Sequence, residues 1–142
     1  MFIQIPTLDA AADLVVIPLR DGEWPVEWLG DRAGILSGSS LPGEGYSVIA
    51  AHNTLNDTEY GPFARLFELD ENDVIFVKDP EGHLMRFSVY ANELLEPDDF
   101  DTMAAIAEQE PGSLVLLTCE NESPEGGYQN RRAVFAKAGS RD

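Results

Sequence analysis

Short runs of aliphatic, β-branched and aromatic residues, each bounded by turn-forming residues, constrain the fold of this chain most strongly. Runs of this length with polar or Gly/Pro breaks are typical of β-strands. A Lys-Asp-Pro-Glu-Gly-His stretch at 78–83 separates two of the runs and predicts a hairpin turn. The predicted strands are Phe2–Ile5, Leu14–Pro18, Tyr46–Ala50, Asp73–Val77, Leu84–Tyr90, Leu114–Thr118 and Arg132–Ala136. The pattern predicts a mainly β domain, and strands of this number and length suit a closed or nearly closed barrel.

Helical signals are weaker and fall in three places. An acidic turn at Pro97–Asp99 leads into apolar residues at helical spacing over Phe100–Ala107, and Pro111-Gly112 is predicted to stop that helix. Two shorter helices are predicted over Pro62–Phe67 and Trp24–Leu29. We therefore expect two or three short helices beside the strands.

Length and composition predict a single folded domain over residues 1–142. The chain is 44% hydrophobic and 25% charged, as soluble globular domains are. No apolar run approaches the roughly 18 to 20 residues that span a bilayer. A signal segment or membrane anchor, where the natural protein has one, is expected outside this chain, and contact with a membrane only through such segments.

The net charge of −17 argues against a nucleic-acid-binding role, because neutralising phosphates requires clustered Lys and Arg. It also disfavours direct adhesion to anionic lipid. Two acidic clusters offer oxygen ligands to Ca²⁺, although neither has EF-hand spacing and a solvated surface is the simpler interpretation. The clusters are Glu93/Glu96/Asp98/Asp99/Asp101 and Glu120/Glu122/Glu125. No cofactor is required by the sequence, and Ca²⁺ is left as an open alternative.

The single cysteine, Cys119, excludes an internal disulfide and a Cys-rich zinc site. It follows the apolar run Leu114–Thr118 and precedes a polar stretch, which predicts a position where a strand meets a loop. A strand end holds a side chain rigidly while the loop leaves space for a substrate. Cys119 is therefore a candidate nucleophile, with a small buried core thiol as the alternative.

His52 occupies the same kind of position, directly after the run Tyr46–Ala51. Thiol chemistry needs an imidazole nearby, which pairs with the thiolate or gives a proton to a leaving amine. The other histidine, His83, falls in the predicted hairpin turn and is expected to be a surface residue.

Acyl transfer also needs a donor that stabilises the developing oxyanion. Arg131 and Arg132 open the last predicted strand, and a guanidinium offers several donors and a permanent charge. Strand alternation means that only one of the two can lie on the same face as Cys119.

The ordered set of these segments resembles the sortase family. Val115–Cys119 is similar to the family's Thr-Leu-x-Thr-Cys strand, with Val115 for the first Thr. Ala50-Ala51-His52 is similar to its Ala-Gly-His, with Ala51 for Gly. Gly38–Gly45 resembles the small-residue segment before the histidine strand.

Other segments extend the resemblance over nearly the whole chain. Phe63–Ile75 resembles the family's Phe-x-x-Leu-x-x-Leu followed by Gly-Asp-x-Ile, with Asn72 where Gly is usual. Ile5-Pro6, the stretch Trp28–Leu36 and the final strand also match. The family's pattern of Arg, three apolar residues, a variable position and then Ala or Gly, counted back from Ala136, favours Arg131 over Arg132.

The resemblance implies an eight-stranded β-barrel and a cysteine transpeptidase. Cys119 would attack a Leu-Pro-x-Thr-Gly-like sorting signal between Thr and Gly, forming a thioacyl-enzyme. His52 would exchange protons with the departing and incoming amines, and Arg131 would bind the carbonyl or oxyanion. Thr118 and Ala51 would contact the substrate.

The implied partners are surface proteins with a sorting signal and an amine from a peptidoglycan precursor or a pilin lysine. The implied location is the outer surface of a Gram-positive cell, with a membrane anchor in the full-length protein. Two alternatives stay open at this point: a non-catalytic barrel that binds surface peptides, and a cysteine hydrolase that uses water as acceptor.

Overall fold

The computed structural model describes residues 1–18, 29–36, 42, 46–53, 60–96, 99–110, 112–122 and 128–138. Eight strands among them close into one barrel in the order β1-β2-β3-β4-β7-β8-β6-β5. The strands are β1 (Phe2–Ile5), β2 (Ala10–Ile17), β3 (Ala33–Leu36), β4 (Ser47–Ala50), β5 (Val74–Lys78), β6 (Leu84–Leu95), β7 (Leu114–Glu122) and β8 (Tyr128–Ala138). The expected sortase-like eight-stranded β-barrel is confirmed.

One α-helix and two 3₁₀ turns accompany the strands in the described residues. The helix, α1 (Phe100–Ala107), begins where the Asp99 carboxylate accepts a hydrogen bond from the Thr102 amide at 3.2 Å. The 3₁₀ turns are Pro6–Leu8 and Leu66–Glu68. No helix in these residues is long and apolar enough to span a bilayer.

Two pairs of neighbouring strands run parallel, β2 with β3 and β4 with β7, while the other pairs are antiparallel. Parallel neighbours need long crossover connections, and here β5, β6 and α1 lie between β4 and β7 in sequence. Their register pairs Ala50 with Leu117. This pairing brings the two segments that carry His52 and Cys119 side by side.

Strand alternation divides the buried residues into two clusters. Leu114 and Leu116 of β7 pack in the larger cluster, which fills the barrel, whereas Val115 packs in a second cluster on the outer face. That second cluster includes Phe135 of β8 and Met103 of α1, so the helix covers this part of the outer face. Burial in these two clusters therefore determines which residues of each strand face the barrel interior and which face outward.

Tyr90, at a bulge in β6, connects the barrel to the helix. The register shifts between Val89 and Ala91, and Tyr90 donates its hydroxyl to the Ile106 carbonyl at 2.8 Å. Its ring lies 6.3 Å from that of Phe135. Burial raises the pKa of Tyr90 above its ordinary value.

Asn72, where the family usually has Gly, lies in the left-handed region with φ 76°. Asn tolerates that region better than other non-glycine residues. Its amide donates to the Val89 carbonyl at 2.8 Å, which joins the entry of β5 to β6. The substitution is therefore compatible with the turn.

Each of the seven predicted strands exists: β1 has the predicted bounds Phe2–Ile5, the bounds of the other six differ, and one further strand was not predicted. β3 escaped the pattern because all four of its residues, Ala33–Leu36, are buried and none alternates with polar residues. The helix over Phe100–Ala107 is confirmed, although it ends well before Pro111-Gly112. The predicted helix over Pro62–Phe67 is wrong, since the segment forms turns and the 3₁₀ turn Leu66–Glu68.

The third predicted helix, Trp24–Leu29, lies mostly outside the described residues. Of Trp24–Leu29, only Leu29 lies inside the described residues, where it is buried and not helical. Most of Gly38–Gly45 also lies outside them.

Candidate active site

His52 lies two residues beyond the end of β4, as predicted, and is half-buried. The β4–β7 ladder continues past Ala50, because the Ala51 amide donates to the Leu117 carbonyl at 3.2 Å. Continuing this parallel register by one more step aligns position 52 with position 119. Parallel neighbours in register share a face of the sheet.

Three consecutive carbonyls hold the main chain at His52. The Ala51 carbonyl accepts from the Thr118 hydroxyl at 2.8 Å, the His52 carbonyl from the Phe63 amide at 3.3 Å, and the Asn53 carbonyl from the Gly61 amide at 2.7 Å. Phe63 is fully buried in the barrel core. The histidine is therefore attached to the core on both sides of its backbone.

Gly61 permits this arrangement by its lack of a side chain. A Cβ built there would lie 2.6 Å from the His52 carbonyl carbon and would overlap the carbonyl oxygen. No sequence pattern marked Gly61 or Phe63 as functional residues. The only signal was a Gly-Pro pair after the histidine segment, which resembles an ordinary turn.

Cys119 and Arg131 are directly opposite each other in the antiparallel register of β7 and β8, and Thr118 is opposite Arg132. Directly opposite residues point to the same face. Position 119 shares its parity with Val115, which packs on the outer face of the barrel. Arg131 is half-buried and donates to the Asn130 carbonyl at 3.1 Å. The side chain of Cys119 lies outside what the structure describes.

Cys119 does not end its strand, so that prediction is wrong. β7 continues to Glu122, and β8 begins at Tyr128, so neither Arg131 nor Arg132 opens β8. The residue pairing of β4 with β7 ends at Leu117, whereas β7 and β8 stay paired beyond it. The hairpin thus extends past the barrel wall, and Cys119 lies in the extension.

Arg132 belongs to the opposite face. Its guanidinium donates to the Asn92 side-chain oxygen at 3.2 Å. The Asn92 amide donates in turn to the carbonyls of Leu66 and Leu69, at 3.0 and 2.9 Å. Arg132 therefore joins a polar network that supports the segment after His52, a role that no sequence pattern indicated.

Thr118 and Ala51, predicted to contact substrate, are both buried and bonded to each other. Because the Thr118 hydroxyl donates to the Ala51 carbonyl, its position beside His52 follows from the fold itself. Direct contact with a substrate stays a prediction for both residues.

The strand directions bring His52, Cys119 and Arg131 to the same end of the barrel, which we call the functional end. Following the parallel and antiparallel pairings, the start of β2, the end of β4, the end of β7 and the start of β8 all lie at this end. Around its rim the order is β2, β3, β4, β7, β8. The rim therefore carries His52, Cys119 and Arg131 in that sequence.

His83 lies in the turn at the opposite end, as the hairpin prediction required. The Asp79 carboxylate accepts from the His83 ring at 3.2 Å and from the His83 amide at 2.8 Å, and these hydrogen bonds lower the pKa of Asp79. In the described part of the chain, Asp79, Glu81 and His83 form the only group of three potential metal ligands. They are not the predicted acidic clusters.

Only part of those predicted clusters can be compared. Asp99 caps α1, while Asp98, Glu125 and the side chains of Glu120 and Glu122 lie outside the described residues. Ca²⁺ binding stays a prediction.

Comparison with known proteins identifies this arrangement. A family model described as the sortase domain matches residues 3–139. No curated protein sequence matches the chain.

Solved sortases share the fold. The chain is 25% identical to a lid mutant of sortase A from Corynebacterium diphtheriae, with a TM-score of 0.76 over 99% of this chain and 70% of that one. Another structure of that sortase A is 26% identical, with a TM-score of 0.75 over 99% of this chain and 60% of that one. Sortase C from Streptococcus pneumoniae is 25% identical, with a TM-score of 0.74 over 99% of this chain and 67% of that one. The chain thus spans roughly 60 to 70% of the length of these proteins.

The family match covers nearly the whole chain, and the closed barrel with its β4, β7 and β8 rim is the one that these enzymes share. This chain belongs to the sortase family of transpeptidases.

Proposed function

We propose that this sortase domain is a cysteine transpeptidase in which Cys119 is the nucleophile, His52 the acid–base and Arg131 the carbonyl-binding cation. The observation that carries the assignment is the register: Cys119 is opposite Arg131, and the β4–β7 ladder leads to His52 beside them. Each role needs a different group, and this part of the rim supplies all of them.

The substrate is a Leu-Pro-x-Thr-Gly-like sorting signal on a surface protein, as the family resemblance implies. Cys119 attacks the threonine carbonyl, the peptide bond to glycine breaks, and His52 gives a proton to the leaving glycine amine. The product of this half-reaction is a thioacyl-enzyme. An incoming amine then attacks the thioester, His52 accepts its proton, and the thiolate of Cys119 leaves.

Arg131 supports both half-reactions in the same way. Negative charge develops on the carbonyl oxygen in each tetrahedral intermediate, and a fixed guanidinium stabilises it. Arg132 does not fit this role because it is opposite Thr118 and bonded to Asn92.

The acceptor amine belongs to a peptidoglycan precursor or to a lysine of a pilin, and the enzyme acts at the outer cell surface. Segments outside this chain would provide a membrane anchor. The similar sortase C from Streptococcus pneumoniae has a pilin substrate specificity, so a pilin lysine is one acceptor to test here.

The test is incubation with a library of sorting-signal peptides, followed by intact-mass measurement of the protein. We expect a mass increase equal to the peptide fragment ending in Thr, localised to Cys119 after digestion and absent from Cys119→Ala. Added hydroxylamine should release this fragment as a hydroxamate.

Three outcomes would contradict the proposal in different ways. A Cys119 that resists thiol alkylation in the folded protein would indicate a non-catalytic barrel. Free acid that persists as the sole product with a strong amine present would indicate a hydrolase. An adduct on another residue would reject the assignment of the nucleophile.

A further inference from the structure

A groove of about 610 Å³ opens at the functional end of the barrel, beside the segment that holds His52. One wall is the turn between β1 and β2, and the other is the chain that returns after His52. Its lining includes Asp9, Asp31, Tyr60, Gly61, Arg65 and Phe67. Gly61 packs against the main chain of His52, so the groove begins where the histidine is anchored.

The order of strands places the groove on one particular side of the reacting groups. Asp9 directly precedes β2 and Asp31 precedes β3, so both come before His52 in the rim order that ends with Arg131. His52 is the group that exchanges protons with the amine. With the roles proposed above for His52 and Arg131, the groove is on the amine side of the reacting groups, and Arg131 is on the acyl side.

Charge in the groove favours a cation. Asp9 and Asp31 bring two carboxylates, and no salt bridge joins either one to a cation within the described residues. Arg65 does not reverse this charge, because its guanidinium pairs with Glu68 at 3.0 Å and is directed to the Leu8 carbonyl at 3.4 Å. The Glu68 pairing and, to a smaller extent, the charge of Asp9 raise the pKa of Arg65. The carboxylates of Asp9, Asp31 and Glu68 still outnumber this one guanidinium, so the net charge here is negative.

Aromatic side chains complete the lining. Tyr60 is 77% exposed and Phe67 is 53% exposed, although the barrel core nearby is fully buried. The face of an exposed aromatic ring attracts a lysine ammonium or an arginine guanidinium. Carboxylates and ring faces in one groove are the chemistry that recognises a basic side chain.

The spacing of the strands gives the distance between the groove and the reacting amine at His52. β2 is two strand spacings from β4, which amounts to about 10 Å. An extended peptide covers roughly 3.3 to 3.6 Å per residue, so about three residues span the gap. A small amine at His52 cannot reach the groove, whereas a peptide can.

We propose that this groove, the acceptor groove, binds the acceptor of transfer and selects peptides with a second positive charge about three residues from the reacting amine. The inference rests on the proposed function, since it requires an amine acceptor. It adds the class of that acceptor: an extended, basic, amine-bearing peptide.

The experiment compares the acceptors Gly-Gly-Gly-Lys-amide and Gly-Gly-Gly-Gln-amide with a saturating sorting-signal peptide at low ionic strength. For exposed ion pairs of ordinary strength we expect the apparent KM to be about threefold to tenfold lower for the Lys peptide. The preference should shrink at high salt, where the Debye length falls to a few ångströms.

The double variant Asp9→Asn/Asp31→Asn should bring the ratio of the two KM values close to one by raising the KM of the Lys peptide. Asn suits position 9 because the backbone there is left-handed, with φ 51°, and Asn tolerates that region. The matched control is Asp13→Asn/Asp101→Asn, which removes two exposed carboxylates outside the groove and should keep the preference.

The outcomes separate the two proposals. If the wild-type protein forms hydroxamate with hydroxylamine, but the groove variant keeps the full preference for Lys, the acceptor groove is rejected and the transpeptidase stands. If the control loses the preference as well, general charge rather than the groove explains it, and the groove is again rejected. If no hydroxamate forms at all, the proposed function itself fails.

Discussion

The two arms of the candidate site are held in place by different means. In the described residues, the ladder bond nearest His52 is the one from the Ala51 amide to Leu117, and the His52 segment is otherwise held by hydrogen bonds to Thr118, Phe63 and Gly61. The arm with Cys119 and Arg131 is a continuous hairpin whose own ladder sets the pairing. One arm is positioned by tertiary contacts, the other by local register.

This difference predicts how the arms respond to substitution. On the hairpin, a change to a reacting group should remove chemistry and leave the fold intact, because neighbouring ladder bonds are unaffected. On the His52 arm, a change to a supporting residue should affect stability and rate together, because the same contacts serve both.

The largest expected effect separates the two adjacent arginines. Arg131→Gln should lower kcat by about 10²- to 10³-fold, the usual cost of losing one donor to an oxyanion. Arg132→Gln should change kcat little and lower the free energy of unfolding by about 1 kcal/mol through the lost bond to Asn92. Steady-state kinetics and urea unfolding of both variants measure this. The reverse ranking of kcat would transfer the catalytic role to Arg132.

Gly61→Ala tests the tertiary arm most directly. Ala at a compatible position would stabilise by roughly 0.4–1 kcal/mol, but overlap with the His52 carbonyl should outweigh this gain and destabilise by about 1–3 kcal/mol. Displacing His52 should also lower kcat, by about tenfold to a hundredfold. Unfolding and kinetics on the same sample measure both effects.

The matched control for this substitution is Gly82→Ala, in the turn at the far end of the barrel. There an added Cβ meets only Lys78, at 3.9 Å, and its cost comes from the positive φ of 88°. It should lower stability but leave kcat unchanged. Equal loss of kcat in both variants would show that His52 is not positioned through Gly61.

Thr118 offers a finer comparison, since it links the two arms. Thr118→Val keeps the shape but leaves the buried Ala51 carbonyl without its donor, at a cost of about 1–3 kcal/mol. Thr118→Ser retains a hydroxyl and should recover much of the stability and the rate. Thermal unfolding and kcat of the pair measure this. Val behaving like Ser would mean that the hydroxyl does not support the His52 arm.

The smallest expected effect concerns pH. Burial raises the pKa of Tyr90, so the folded state retains the phenol proton above the pH, about 10, at which the unfolded chain loses it. The contribution is fully present below that pH and is lost as pH rises through the folded pKa. Wild-type stability should therefore fall more steeply than that of Tyr90→Phe above pH 10 in urea unfolding. Parallel curves for the two proteins would reject this role.

Much of the fold could be predicted from periodicity, but strand ends could not. The runs at Phe2–Ile5 and Leu114–Thr118 are recognisable because apolar residues fill them, whereas the extension of β7 to Glu122 is polar and resembles a loop. Its strand structure comes from pairing with β8, a contact that the polar residues themselves do not indicate. β3 escaped prediction because its burial on both faces removes alternation.

The sequence by itself determined the family and the candidate residues Cys119 and His52 with their order along the chain, because the motifs around them are local. Only the tertiary structure decided which of two adjacent arginines is opposite Cys119. Adjacent residues of a strand face opposite sides of the sheet, and the register of β7 with β8 determines which arginine shares the side of Cys119. The tertiary structure also revealed Gly61, whose need for a bare backbone arises from a carbonyl that only the folded chain brings near.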